Sequence, residues 1–292
     1  MSNAYRGAWG VVLFAGLLAG VPSAASAANY TLTVEPTYPA DQLREVYGPL
    51  ITYLNRTTGH RFILRSAPNF NEHWRQLRSG AAVEFVFEEG HFFDYRAKRS
   101  GAIALARTQE NSAYAIAVAD PEIAAEGRDG IVGRTVASLG APNLGYVLVF
   151  DSFKNPLAQP EVRAVSSKWS DGPDLVFSGD VEATLLPAYL ASENPALTEV
   201  WRSADVPGRV LSASPELPQD VRQKVTDALL KLHEDPEAFA VMTELRTERL
   251  VAVDRATYDG LERLLINSFG YVPPAAPRAA APTPAATPAP AN

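Results

Sequence analysis

Short apolar runs that alternate with helix-like segments are the feature that most limits how this chain can fold. After residue 28, an alternating apolar run breaks at two prolines, and apolar residues then recur at helical spacing from Leu43 to Leu54 and stop at Gly59. This succession of strand and helix repeats along the chain. The predicted strands lie at 30–34, 61–64, 83–87 and 102–106. Strands that alternate with helices at this spacing predict an α/β domain with a largely parallel sheet, where ligands gather at the carboxyl ends of the strands.

A long apolar run at 112–120 separates this first unit from a second α/β pattern. Because the run has strand character and no helical pattern follows it directly, we expect it to cross between two lobes. The helical patterns near the carboxyl end have no predicted strand between them and are expected to pack mainly on the first unit. The predicted organisation is lobe 1 at 28–118, lobe 2 at 119–208 and a return to lobe 1 at 209–271. Two lobes joined by more than one crossing form a hinged cleft around a small ligand.

The two ends of the chain differ in composition from the part expected to fold. Residues 1–27 combine a single charge, Arg6, with an apolar stretch and a small-residue cleavage site, which is typical of a secretory signal peptide. Residues 272–292 are almost entirely Pro and Ala and predict a disordered tail. The chain has no cysteine, so disulfides and a lipid-bearing cysteine are excluded. We therefore expect a periplasmic protein that begins at Ala28 and has no lipid anchor.

Charge and missing motifs narrow the classes of function. The formal charge is −7 and becomes −8 when Arg6 is removed with the signal peptide, and this acidity argues against nucleic acid and anionic membranes as partners. The phosphate-binding P-loop, zinc-protease, nucleophile-elbow and dinucleotide-binding patterns are absent. The four histidines, at 60, 73, 91 and 233, have spacings that suit no metal site. The expectation is a chain that is not an enzyme and holds neither a metal nor a cofactor.

The stretch 136–150 places a turn between two apolar runs. A strand is predicted at 134–138, and Asn143 is predicted to cap a helix that continues through Tyr146. The amino end of a helix presents free N–H groups and a partial positive charge of about +0.5, which suits an anion or a carbonyl group. The alternative is an ordinary strand-to-helix turn that binds nothing.

Four segments in the same order resemble the periplasmic solute-binding proteins of ABC transporters, in particular the phosphate, phosphite and phosphonate branch. These segments are YGPLITYLNRTTG, RQLRSGAAVEFVF, VGRTVASLGAPNLGY and VWRSADVPGRVLSASPEL. The resemblance implies the type 2 two-lobed fold, with a mixed, mainly parallel sheet flanked by helices in each lobe and a two-strand hinge. It also implies a monomer that captures a small anionic or zwitterionic solute, phosphonate-like or another oxyanion or carboxylate, for an ABC permease in the inner membrane. The alternative is a periplasmic sensor or scaffold of the same fold that acts with a signalling partner.

The ligand loops of this family can be carried over to positions of this sequence. Tyr38 follows the first strand, Ser178 ends a predicted strand DLVFS, and Arg209 stands where relatives often have an acid. Leu144 and Gly145 replace a Ser/Thr-rich run, which removes hydroxyl donors worth about 1.5–3 kcal/mol each to a charged ligand. The residues expected to bind the ligand are Tyr38, Glu88, His91, Asn143, Leu144, Gly145, Tyr146, Ser178 and Arg209.

Several of these positions have two interpretations. Glu88, Glu89 and His91 bind a cation or an amine, or they are solvated groups at the end of a strand. Arg209 pairs with a carboxylate or phosphate of the ligand, or it is a solvated arginine beside the hinge. Trp169 forms a wall of the cleft or belongs to the core.

Overall fold

The computed structural model describes residues 27–80 and 83–273 of the chain. The predicted signal peptide lies outside the described residues except for Ala27, and the predicted tail lies outside them from residue 274 onward. Within the described part, no helix is both long enough and apolar enough to cross a bilayer.

Two sheets form the framework, and each carries helices on its faces. The first sheet has the strand order β11-β4-β10-β3-β1-β2, and the second has the order β7-β6-β8-β5-β9. The strands of the first sheet are β1 (Asn29–Val34), β2 (Arg61–Ser66), β3 (Phe85–Glu88), β4 (Ile103–Thr108), β10 (Val210–Ala213) and β11 (Leu250–Val251). Those of the second are β5 (Tyr114–Val118), β6 (Thr135–Ser138), β7 (Glu161–Ala164), β8 (Ala183–Pro187) and β9 (Thr198–Arg202). The predicted two-lobed α/β class is confirmed, and each sheet with its helices is called a lobe below.

Both sheets mix parallel and antiparallel pairs. Strand β1 pairs in parallel with β2 and β3, and β6 pairs in parallel with β7 and β8. The antiparallel pairs all involve the strands next to the crossings or the carboxyl end, namely β4 with β10 and β11, β10 with β3, and β5 with β8 and β9. The chain reverses its direction where it enters or leaves a lobe, so the sheets are less parallel than the alternation of elements suggests.

The helices follow from local sequence signals. The α-helices are α1 (Ala40–Thr58), α2 (Phe70–Arg78), α3 (Gly90–Ser100), α4 (Pro121–Glu126), α5 (Leu144–Ser152), α6 (Asp171–Phe177), α7 (Ala188–Ser192), α8 (Gln219–Leu230) and α9 (Phe239–Leu245). Helix α1 buries Leu43, Tyr47, Leu50 and Leu54 on one face and ends at Gly59, which has a φ of 73°. Each such buried side chain contributes about 1.5–3 kcal/mol. Helices α8 and α9 pack on α1 in the first lobe.

The predicted strand DLVFS is wrong, because residues 174–177 lie in helix α6 and Ser178 follows as its C-cap. Gly172, Pro173 and Val176 are the buried residues of this helix, and their spacing places them on one helical face against β8. The carboxylate of Asp171 accepts hydrogen bonds from the N–H groups of Ser167 and Lys168, at 2.9 and 3.1 Å, and holds the preceding turn. A short apolar run cannot by itself distinguish a strand from a buried helical face.

The carboxyl-terminal region also departs from the prediction. The short strand β11 lies beyond α9, although no strand is predicted there. The segment expected to be a helix near residue 260 instead forms two 3-10 helices, Arg255–Tyr258 and Leu261–Leu265. The second of these packs on α3 of the first lobe and on α5 of the second. This segment therefore contacts both lobes.

Two extended segments connect the lobes and pair with each other. The N–H of Thr108 donates to the carbonyl of Arg209 at 2.9 Å, and Ser112 and Val206 exchange two backbone hydrogen bonds of 2.9 Å. Gly208 lies where the segments approach most closely, since a Cβ built there would stand 2.1 Å from the carbonyl oxygen of Glu110. The expected crossing near residue 112 is thus one half of a paired hinge.

We predict that Gly208→Ala lowers the free energy of unfolding by roughly 1–3 kcal/mol, because the added methyl group forces the two hinge segments apart. Gly48→Ala is the matched control, since a Cβ at this position in α1 meets nothing within 4 Å. That control should stabilise the protein by about 0.5–1 kcal/mol, the usual gain for replacing a helical glycine. Urea unfolding of both variants measures the two effects, and equal stability of the two variants would contradict the close approach at Gly208.

Candidate functional site

Two glutamates meet at the carboxyl edge of the first sheet. Strands β1 and β3 are parallel neighbours, with Val34 opposite Phe87, so the residues that follow them lie side by side. The N–H of Glu89 donates to Oε1 of Glu35 at 3.1 Å. Glu35 is 1% exposed and Glu89 is 5% exposed. This position therefore holds two buried carboxyl groups.

The guanidinium of Arg209 lies between these glutamates and the hinge. Its Nη2 is 3.8 Å from Oε2 of Glu35 and donates to the hydroxyl of Tyr47 at 3.2 Å. The guanidinium also stands 4.2 Å from the ring centre of Phe87. Because only 16% of the side chain is exposed, the interpretation of Arg209 as a solvated surface residue is wrong.

Burial and charge act in opposite directions on this cluster. Burial raises the pKa of Glu35 to about 8, while Arg209 acts to lower it and Glu89 to raise it. Burial likewise raises the pKa of Glu89, although Arg209 and hydrogen bonds from Ser112 and Tyr114 lower it. The two carboxyl groups share one guanidinium, so the cluster holds either a protonated carboxyl group or an excess negative charge.

Glu89 joins the first lobe to the segment that leads into the second. Its carboxylate accepts hydrogen bonds from the hydroxyl of Ser112 at 3.2 Å and from the hydroxyl of Tyr114 at 3.3 Å. The ring of Tyr114 lies 5.5 Å from that of Trp169. It also covers Gly145, where a Cβ would stand 2.6 Å from the ring.

These residues surround a cavity of about 590 Å³ between the lobes, called the hinge cavity here. Its size is typical of sites for small molecules. Both lobes and both hinge segments contribute to its walls. The lining residues that carry the argument below are Tyr38, Glu89, Tyr114, Trp169, Tyr189 and Arg209. Trp169 is only 9% exposed and also packs in the apolar core, so its two interpretations both apply.

Other predicted binding residues lie outside this cavity. The side chain of Glu88 points to the opposite side of β3, where it forms a buried ion pair with Arg96 and accepts a hydrogen bond from Ser212 at 3.3 Å. Alternation along a strand separates it from Glu89. Ser178 is exposed and donates to Asp180 at 2.7 Å, and it does not line the cavity.

The turn before α5 has the predicted cap, because Oδ1 of Asn143 accepts a hydrogen bond from the N–H of Tyr146 at 2.9 Å. Asn143 and Leu144 are each 1% exposed, and Gly145 lies against Tyr114. The side chain of Tyr146 lines a second cavity of about 570 Å³ that also includes Trp74. This turn therefore supports the wall formed by Tyr114 and does not itself line the hinge cavity.

His91 connects this turn to the first lobe. Its Nε2 lies 3.0 Å from the carbonyl oxygen of Pro142, so Nε2 carries the proton and donates it to the carbonyl. Burial lowers the pKa of His91 to about 4, although the hydrogen bond to Pro142 acts to raise it. The residue is fully buried and does not reach the hinge cavity. Its position indicates a contact that holds the lobes together.

A family model described as the periplasmic substrate-binding protein of ABC phosphonate transporters matches residues 32–258. This match spans most of the chain. The chain belongs to this family. The substrate-binding protein therefore shares its fold and general transport role with proteins that bind solutes for ABC transporters, as the resemblance implies.

Solved structures with the same fold are distant in sequence. PhnD1 of Prochlorococcus marinus in complex with methylphosphonate is 13% identical, with 81% of this chain and 97% of that chain covered and a TM-score of 0.68. The binding component of an ABC phosphonate transporter from Pseudomonas aeruginosa is 15% identical, with coverages of 82% and 86% and a TM-score of 0.65. A Xanthomonas citri protein bound to ATP is 18% identical, with coverages of 81% and 95% and a TM-score of 0.60. The comparison with curated protein sequences finds no match.

Three residues of the substrate-binding protein that lie at or directly beneath the hinge cavity are not among the predicted binding residues. Glu35 directly follows β1, and this position was the one available signal for it. Tyr114 opens the strand after the crossing, and Tyr189 lies at the start of α7. The last two could be placed at the cavity only when the pairing of β5 with β8, which sets Tyr114 opposite Pro187, was known.

Two buried histidines should make the substrate-binding protein sensitive to acid. Burial lowers the pKa of His73 to about 3, with Arg96 and His91 adding to the effect, and it lowers that of His91 to about 4. The two neutral histidines therefore contribute their full stabilisation above about pH 6.5, which is the pKa of a histidine in the unfolded chain. This stabilisation is lost as the pH falls toward the folded-state pKa values of about 4 and 3. At pH 5 each histidine should lower the free energy of unfolding by about 2 kcal/mol relative to neutral pH.

The variant His73→Phe tests this expectation, because neither ring nitrogen of His73 has a hydrogen-bond partner among the described residues and the ring packs against Phe92 at 5.3 Å. We expect the variant to lose about 2 kcal/mol less than the parent between pH 7 and pH 5 in urea unfolding. His233→Phe, at an exposed position, controls for the loss of a histidine. If the free energy of unfolding fell by the same amount in His73→Phe and in the parent between pH 7 and pH 5, the pKa of His73 would not be lowered in the folded protein.

Proposed function

We propose that this substrate-binding protein captures a small zwitterionic solute in the hinge cavity and delivers it to an ABC permease. The observation that carries the proposal is a cavity of about 590 Å³ that is built by both lobes and both hinge segments. A ligand that contacts both lobes stabilises their closed arrangement, and the permease then recognises that arrangement.

An acidic group of the solute has a partner in the hinge cavity. The Nε of Arg209 and Oγ1 of Thr37 are buried and have no hydrogen-bond partner among the described residues, and both residues line the cavity. A guanidinium N–H and a hydroxyl group are suitable donors to a carboxylate or a phosphonate. The relatives bound to methylphosphonate and to ATP support an acidic ligand in this fold.

The same cavity makes a purely anionic solute a poorer fit than a zwitterion. One carboxylate of this cluster already neutralises Arg209, so a dianion placed beside it meets no excess positive charge and is repelled by that carboxylate. A solute that carries both an acidic group and a positive charge reduces this repulsion. We therefore favour the zwitterionic class over simple phosphate or alkylphosphonate.

The cellular setting is proposed from the sequence and the family together. The predicted signal peptide at 1–27 and membership of a family of periplasmic substrate-binding proteins support a periplasmic location. We propose a monomer whose partners are the solute and the permease.

Thermal-shift screening of the mature protein tests the function. The panel contains phosphate, methylphosphonate, 2-aminoethylphosphonate, α-amino acids and betaines. A ligand at 100 times its dissociation constant adds about 2.7 kcal/mol, which should appear as a rise of several degrees in Tm. We expect zwitterions to raise Tm more than phosphate does, and a larger effect of phosphate would reverse the proposed preference.

We predict that Arg209→Ala lowers the free energy of unfolding by about 3–5 kcal/mol, because it leaves Glu35 and Glu89 buried without their cation. It should also abolish the ligand-induced rise in Tm. The matched control is Arg163→Ala, whose ion pair with Glu161 is exposed and contributes about 0–1 kcal/mol. Urea unfolding and isothermal titration measure both effects, and wild-type stability of Arg209→Ala would show that the buried cluster does not depend on this guanidinium.

A further inference from the structure

Four aromatic side chains line the hinge cavity, and an acidic group of the solute makes no use of them. Tyr38 comes from the first lobe, and Tyr114, Trp169 and Tyr189 come from the second lobe. Aromatic faces carry negative charge density and attract organic cations, most strongly when water is excluded. A small anion would instead meet the electronegative faces of these rings. The guanidinium of Arg246 stands 4.9 Å from the ring centre of Tyr189, so these walls already accept a positively charged group.

The balance of ionised side chains in the cavity points the same way. Among the lining residues, Arg246 pairs with Glu193 at 2.7 Å, and Arg202 pairs with Glu199 at 3.0 Å. Arg209 is neutralised by the buried carboxyl groups beneath it. The carboxylates that line the cavity are Glu89, Glu110, Glu193, Asp205 and Glu244. These five acidic residues outnumber the three lining arginines, which favours a cation over an anion in the cavity.

The hydrogen bonds of Glu89 distinguish between kinds of cation. Its two oxygens already accept hydrogen bonds from the hydroxyl groups of Ser112 and Tyr114, at 3.2 and 3.3 Å. A primary ammonium group has three N–H donors and needs free acceptors. A methylated ammonium group has a positive charge but few or no donors, so a partly occupied carboxylate and aromatic faces satisfy it.

We propose that the hinge cavity recognises a methylated ammonium group, with Glu89 as its nearest negative charge and the rings of Tyr38, Trp169 and Tyr189 as its walls. This inference rests on the proposed function and specifies the positively charged end of its zwitterionic solute. It distinguishes the chain from relatives whose ligand, such as methylphosphonate, has no positive charge.

Isothermal titration with three probes separates the charges of the solute. Choline carries only the methylated cation, glycine betaine carries the cation and a carboxylate, and methylphosphonate carries only the anion. We expect choline and glycine betaine to bind at least tenfold more tightly than methylphosphonate. Methylphosphonate binding more tightly than both would overturn the inference together with the proposed preference for a zwitterion, whereas 2-aminoethylphosphonate binding more tightly than glycine betaine would overturn the inference and leave the proposed function intact.

Substitutions at Tyr189 test the aromatic contribution, because this side chain is 40% exposed and its loss should leave the fold intact. Tyr189→Leu should weaken glycine betaine binding about tenfold, while Tyr189→Phe retains the aromatic face and should stay within about threefold of the parent. Circular dichroism and Tm confirm that each variant is folded. Equal affinity of the two variants would exclude a cation held against this ring.

A second pair of variants tests the charge. Glu89→Gln should weaken choline binding more than tenfold, and Glu161→Gln, an exposed carboxylate whose partner Arg163 also lies outside the cavity, should not change it. If Glu89→Gln is not folded, the Tyr189 pair and the order of the three probes still decide the inference. If none of the three probes and no zwitterion of the wider panel binds, the proposed function fails together with the inference. If other zwitterions bind and Tyr189→Leu does not weaken their binding, only the inference fails.

Discussion

The buried cluster of Glu35, Glu89 and Arg209 is the interaction on which the arrangement of the lobes depends. It lies where the carboxyl ends of two parallel strands, the start of α3 and the returning hinge segment meet. Removing one partner from a buried ion pair is strongly destabilising, because the other charge stays buried with nothing to compensate for its lost hydration. The cluster therefore fixes how the hinge enters the first sheet, and with it the floor of the hinge cavity.

The lobes also contact each other beside the cavity. His91 of the first lobe donates to the carbonyl of Pro142 in the second, and the 3-10 helix Leu261–Leu265 packs on helices from both lobes. Arg263 of that segment pairs with Asp151 of α5 at 3.0 Å, a contact that is exposed and therefore weak. Any opening of the cleft must break these contacts, so they and a ligand that contacts both lobes stabilise the same arrangement of the lobes.

Membership of a transport family and the chemistry of the cavity are separate conclusions. The family match establishes the fold and the general transport role. The ligand depends on individual side chains, and here the carboxyl groups and aromatic rings around the cavity differ in character from the hydroxyl-rich turn expected for a phosphonate. Asn143 keeps its capping role in that turn, yet the ring of Tyr114 occupies the space in front of Gly145. The turn was predicted correctly as local structure, while its role in binding remains a prediction.

The sequence by itself determined the local elements, because apolar spacing, capping residues and glycines act over a few neighbouring positions. It predicted the alternation of strands and helices, the end of α1 at Gly59 and the cap at Asn143. Only the tertiary structure decided that Glu89 faces the cavity while Glu88 faces Arg96, that residues 174–177 are helical, and that most of the Arg209 side chain is buried. These outcomes depend on which strands pair with each other and on where the returning hinge segment enters the first sheet. Such long-range pairings bring together residues more than 100 positions apart, as in Glu89 and Arg209, and no local pattern in the sequence encodes them.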